Sequence, residues 1–199
     1  MTADEVVREI TRRSWEFGVA VLMVNKPHVM VDTSPCGGYF TEEGDVPMLV
    51  VATGCSEDQW LGTLLHEYSH LTQWAEKAPV WSSNDTLYSD YQEWLNGKKK
   101  APAIVRKAVA AAREVEADCE RRTIRLIREL SAPIDLPRYT RIANCYIHFH
   151  NVMAKTRKWF AADKRLYAMP SVYGLANAIF DEDFSKTPKP LYDALLTCI

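Results

Sequence analysis

The sequence lacks several of the marks that sort proteins into classes. Its five cysteines, Cys36, Cys55, Cys119, Cys145 and Cys198, are odd in number and contain no C-x-x-C pair. That argues against a Cys-based zinc site and against a disulfide framework, and for a reducing compartment. The opening residues, MTADEVVREITRRSWEF, are charged throughout and hold no apolar stretch, so no secretory signal is expected. No run approaches the roughly 20 apolar residues of a membrane span. There is no internal repeat and no low-complexity tract. The net charge is only -2, which carries no nucleic-acid or membrane footprint. Lys98, Lys99 and Lys100 form a short basic run, read as a solvated connector. Together these absences lead to the expectation of a cytoplasmic protein with neither nucleic-acid nor membrane partners.

What is present is ordinary for a globular chain: 199 residues, 47% hydrophobic and 25% charged. That length is enough to bury a real core in one domain, with or without an added helical lobe. Residues 3–16 carry an amphipathic helical pattern. Short β-rich runs follow at Val19–Val24, His28–Asp32, Tyr39–Thr41 and Met48–Ala52, with a turn at Ser34–Gly38. Their close spacing leaves no room for crossover helices, so the sheet should be largely antiparallel or mixed. Pro47 before the last run suits an edge strand, and Met48–Ala52 is the candidate for aligning an extended peptide. The rest reads as helical: Leu87–Leu95 after a loop at Lys77–Thr86, a long helix from Pro102 to Leu130, another over Arg138–Phe160, and a short one near Leu175–Ile179. The expected fold class is α+β, with a small mixed or antiparallel sheet, a central helix and a mainly helical C-terminal part. The chain is expected to form one domain over 1–199, divided into a sheet-and-helix part (1–76) and a helical part (77–199). From residue 138 onward the helical part is a candidate lid or partner surface.

The central helix is the stretch Trp60–Trp74, WLGTLLHEYSHLTQW. Within it His66-Glu67-Tyr68-Ser69-His70 reads H-E-x-x-H. Residues four apart on a helix stand one above the other, so both imidazoles reach one metal ion, with nitrogen about 2 Å from zinc. Glu67 is then placed to act as general base on a water at that ion. Ser56 followed by Gln59 has the form of a capping box. Trp60, Leu61, Leu64, Leu65, Tyr68, Leu71 and Thr72 make an apolar stripe. From Ser56 to Glu76 there is no Lys or Arg, so both sides of this helix should be covered.

Two histidines do not complete a catalytic zinc site, which has three protein ligands and a water. His70 is followed by LTQWAEKA, so no third histidine comes just downstream. The later acidic stretch Glu114-Val115-Glu116-Ala117-Asp118-Cys119-Glu120 offers carboxylates on two flanks of a helix, Glu114 with Asp118 and Glu116 with Glu120. Periodicity does not choose between them.

His66-Glu67-x-x-His70 with a downstream Glu114-x-x-x-Asp118 resembles the gluzincin metallopeptidases, in particular the small cytosolic minigluzincins. The resemblance covers about Met48 to Ile127. It implies a zincin-like fold, Zn2+ as cofactor, Glu114 as third ligand and Asp118 as the residue that orients a ligand histidine. Glu116 is the alternative ligand. It also implies hydrolysis of peptide bonds in a peptide or protein substrate, and compact forms of this type look like those encoded by phages and mobile elements. His148 and Tyr146 are the candidate transition-state stabilisers, from a segment dense in polar groups. Tyr173 is a further candidate without geometric support, and His28 is assigned no role. The competing expectation is a zincin-like zinc-binding regulatory or interaction protein without proteolytic activity.

Overall fold

Thr2 starts the first helix, α1 (Ala3–Glu16), by a reciprocal cap: its hydroxyl accepts from the Glu5 N–H, and the Glu5 carboxylate accepts from the Thr2 N–H at 2.7 Å. The computed structural model describes residues 1–31, 34–82, 85–161 and 164–199. Its elements fall into two compact units. One contains Met1–Ala78 and Cys119–Leu136; the other contains Pro79–Asp118 and Pro137–Ile199. The chain therefore does not divide once, after residue 76. It leaves the first unit, returns to it for 18 residues, and leaves again.

The first unit holds a mixed sheet. Strands β1 (Ala20–Val24), β2 (Val29–Val31), β3 (Ser34–Cys36), β4 (Gly38–Thr41) and β5 (Met48–Ala52) precede helix α2 (Glu57–Ala75). The main sheet has the order β1-β5-β4, with β1 parallel and β4 antiparallel to β5. β2 and β3 form a separate antiparallel pair. Met48–Ala52 is thus the central strand and not an edge. Leu49, Val50, Val51 and Ala52 are all buried, as expected for a strand covered on both faces. Pro47 fits there because its carbonyl still accepts from Ala20 N–H, at 3.0 Å. The expected turn at Ser34–Gly38 contains β3 instead, since Val29 and Val31 find their partners in Cys36 and Ser34. Of the expected strand His28–Asp32, Asp32 lies outside the described residues.

The second unit is helical: α3 (Pro79–Ser82), α4 (Asp85–Leu95), the first part of α5 (Pro102–Glu129), α6 (Leu136–Thr156), a 3-10 turn at Leu166–Ala168, α7 (Pro170–Tyr173) and α8 (Lys189–Leu196). Its core joins Ala108, Val109 and Ala112 of α5 to Cys145, Phe149, Val152 and Met153 of α6 and to Leu191 and Leu195 of α8. α3 occupies part of the expected loop Lys77–Thr86, in which residues 83 and 84 lie outside the described set. α6 stops short of Phe160 because Arg157 turns the backbone to φ 55°. The expected helix at Leu175–Ile179 is absent. The carbonyls of Asn177 and Ile179 instead accept from the Asn144 side chain, at 3.1 and 2.9 Å. Among the described residues no helix is long and apolar enough to cross a membrane.

Candidate metal centre

α2 carries the H-E-x-x-H residues, and both of its sides are buried. Leu61, Leu64, Leu65, Tyr68 and Leu71 are buried on one side, Gly62, Glu67, Ser69 and Gln73 on the other. His66 and His70 are half-buried. The start of the helix differs from a capping box: Ser56 is the N-cap, but its hydroxyl donates to Asp58 at 2.6 Å and makes no cap bond. The acidic first turn, Glu57 and Asp58, supplies the favourable charge at that end.

The two imidazoles stand edge to face, 4.7 Å between centroids and 87° between planes. Each has its Nδ1 held by a side-chain oxygen. His66 Nδ1 lies 3.1 Å from Glu120 Oε1, and His70 Nδ1 lies 2.8 Å from Gln73 Oε1. A carboxylate oxygen and an amide oxygen only accept, so both Nδ1 atoms carry a proton, and in the neutral ring the lone pair falls on Nε2. This tautomer presents Nε2 to a metal, and outer hydrogen bonds of this kind raise the ligand's basicity and fix its ring.

The C-terminal part of α5 builds this arrangement through a polar seam along α2. Cys119 Sγ donates to the His66 carbonyl at 3.3 Å and lies 3.6 Å from His66 Nδ1. Thr123 Oγ1 lies 2.9 Å from Ser69 Oγ. Arg122 Nη1 pairs with Glu76 at 2.6 Å. Burial disfavours a charged His66 ring, but Cys119 and the Glu120 carboxylate outweigh it and hold His66 well above an imidazole's ordinary pKa. A metal must therefore displace a proton there.

Glu67 is buried beside strand β4. A Cβ on Gly38 would come 3.3 Å from Glu67 Cγ, 2.8 Å from Thr63 Cγ2 and 2.7 Å from the Val50 carbonyl oxygen. Glycine at 38 thus lets the helix with the candidate base lie directly on the edge strand.

The acidic stretch of α5 is sorted by burial. Glu114 is exposed, Glu116 and Asp118 are half-buried, and Glu120 is buried. One oxygen of Glu116, Oε2, is fully shielded from solvent. The flank bonded to His66 is the one with Glu120, one turn after Glu116; Asp118 and Glu114 share the other flank. Among the described residues, His66, His70 and Cys119 form a group that could hold a metal ion, their ligand atoms all lying within 4.8 Å of one another. Sequence reasoning had no role for Cys119, Gln73 or Gly38. Gln73 had one available signal, its position three residues after His70 on the same face.

In the second unit His148 is 1% exposed and engaged on both nitrogens. Nε2 donates to Asp181 at 3.0 Å, and Thr187 Oγ1 lies 3.3 Å from Nδ1. Asn144 and Asn151 lie along the same line of α6 and bind the same segment: Asn144 accepts from Asp181 N–H, and Asn151 donates to the Phe184 carbonyl. This line of polar side chains holds residues 177–187 to the helix. Tyr146 is half-buried, with its ring 5.6 Å from His150 and 6.1 Å from Trp159. Tyr173 is half-buried beside Arg138, whose guanidinium lies 5.9 Å from its ring centre.

The chain matches no protein-family model, no curated protein and no solved structure. Its chemistry rests on these side chains alone.

Proposed function

We propose that this protein is a zinc-dependent metallopeptidase of gluzincin type, with a zincin-like arrangement of sheet and active-site helix, acting on peptide or protein substrates in the cytoplasm. One observation carries the reading: both histidines of H-E-x-x-H are held by side-chain oxygens at Nδ1, which leaves Nε2 as the donor atom on each. A half-buried ring pair on one helix face, oriented in this way, fits a divalent ion with nitrogen ligands.

The third ligand is a carboxylate of α5. In the pattern that the sequence resembles, the ligand glutamate stands one turn before the residue that orients a ligand histidine. The orienting residue here is Glu120, so the same register gives Glu116 in preference to Glu114.

Zinc bound there supplies a Lewis acid for a water and for the scissile carbonyl. Glu67 takes the proton of the attacking water and passes it to the leaving amine. Gly38 allows Glu67 to sit against β4, the edge strand of the main sheet next to α2. An extended substrate pairs with β4 through backbone hydrogen bonds, a mode with little side-chain selectivity. Of the two candidate oxyanion donors, His148 is engaged with Asp181 and Thr187.

The test is zinc content by elemental analysis, followed by hydrolysis of an unstructured protein substrate. Wild type should carry about one zinc per chain. His66→Ala and Glu116→Ala should lose it, and Glu114→Ala should keep it. Wild type should cleave and Glu67→Gln should not. A wild-type chain that takes up no zinc overturns the reading. A zinc-loaded chain on which Glu67→Gln makes no difference leaves a zinc-binding protein without peptidase chemistry.

A further inference from the structure

The buried side of the histidine pair offers a second donor set that the peptidase reading leaves aside. Cys119 is fully buried on α5, with Sγ 3.6 Å from His66 Nδ1, and the ligand atoms of His66, His70 and Cys119 lie within 4.8 Å of one another. In a tetrahedral zinc site with Zn–S of about 2.3 Å and Zn–N of about 2.05 Å, the sulfur and nitrogen corners are about 3.6 Å apart. The thiol and the ring nitrogen thus already stand at the separation that a shared ion requires.

We propose that Cys119 is an alternative third donor to the His66–His70 pair, giving a His–His–Cys set that holds a thiophilic divalent ion. The proposal rests on the same two histidines as the peptidase reading but uses the other nitrogen of His66. In the carboxylate set His66 keeps its proton on Nδ1, bonded to Glu120, and ligates through Nε2. In the thiolate set it ligates through Nδ1 and its proton moves to Nε2. The Cys119 thiol releases its proton to solvent and becomes the thiolate ligand. One ring serves one set at a time, so the two sets exclude each other. A thiolate donates more charge than a carboxylate and selects zinc, cadmium or cobalt over magnesium or manganese. With three protein donors this set, like the carboxylate set, leaves a fourth position for water.

The experiment is titration of Co2+ into the metal-free full-length protein, followed by absorption. Wild type should show a near-ultraviolet sulfur-to-cobalt charge-transfer band that saturates at about one equivalent. Cys119→Ser keeps a hydroxyl that can donate to the His66 carbonyl. It should lose this band, keep visible d–d bands, and lose about tenfold or more of its preference for Cd2+ over Mn2+. Cadmium NMR of wild type alone, read for a thiolate-shifted resonance, gives the same answer if the variant fails to fold. Cobalt bound with d–d bands only overturns the proposal and leaves the peptidase site standing. A charge-transfer band that persists in Cys119→Ser assigns the sulfur to another cysteine and overturns it too. A wild type that binds no cobalt overturns both.

Discussion

Glu120 holds the Nδ1 of His66 at 3.1 Å across 54 residues of sequence. Removing that acceptor frees the ring to turn and to change tautomer. Glu120→Ala should weaken zinc binding about 10- to 100-fold, and Glu120→Gln, whose amide oxygen still accepts, should weaken it less. Competition with a chelator of known affinity measures both. Equal affinities for wild type and Glu120→Ala would mean that the bond does not position the ring.

Gly38→Ala places a methyl group 2.7 Å from a backbone oxygen and 2.8 Å from the Thr63 side chain. Backbone yields less readily than a side-chain tip, so strand and helix must separate. A stability loss of about 1–3 kcal/mol is expected from this overpacking, read from the urea midpoint. Because Glu67 rests on the same spot, hydrolysis should fall further than zinc content does.

Glu67→Gln retains the shape of the side chain and removes the base. Zinc content should stay that of wild type, while the turnover number falls about 10²- to 10⁴-fold. Parallel loss of zinc and activity would assign Glu67 to the ligand set instead.

Burial lowers the pKa of His148 and of His150 below the ordinary 6.5. Their unfolded forms bind protons first as pH falls. The stability they confer is complete above about pH 6.5 and is lost as pH drops through their folded values. His66 in the metal-free chain is shifted the other way. Its contribution is complete below about pH 6.5 and is lost as pH rises through its folded value. Imidazole proton titrations by NMR should place His148 and His150 below that midpoint and His66 above it. All three titrating together near 6.5 would contradict the burial argument.

Asn144→Ala removes the donor to the Asn177 and Ile179 carbonyls and the acceptor of the Asp181 N–H. Each lost bond costs about 0.5–1.5 kcal/mol. Residues 177–187 should become the first site of limited proteolysis, with the zinc content unchanged. An unaltered cleavage pattern would show that His148 and Asn151 hold this segment without Asn144.

Much of this was legible in the sequence where the signal is local. β5 and the limits of α2 follow from uninterrupted apolar or periodic runs, and the histidine pair follows from one helical turn. The position of β5 in the sheet was not legible, because a proline before a strand is compatible with an edge and with a centre whose neighbour uses only the carbonyl. The flank of α5 that meets His66 was equally hidden. Carboxylates two residues apart have the same composition and opposite directions, and only packing separates Glu120 from Asp118. Ser56 failed as a cap for a local reason that no motif records: Asp58 competes for its hydroxyl.

The return of residues 119–136 to the first unit has a consequence for synthesis. A ribosome that has released residues 1–78 has delivered both histidines and Glu67, but not Glu120 or Cys119. The nascent chain at that stage carries α2 without the seam that covers it, and His66 lacks its orienting carboxylate until more than 40 further residues have been translated. On the metallopeptidase reading, metal capture by the finished geometry is therefore a late event. A stalled or truncated product retains the motif letters without the centre.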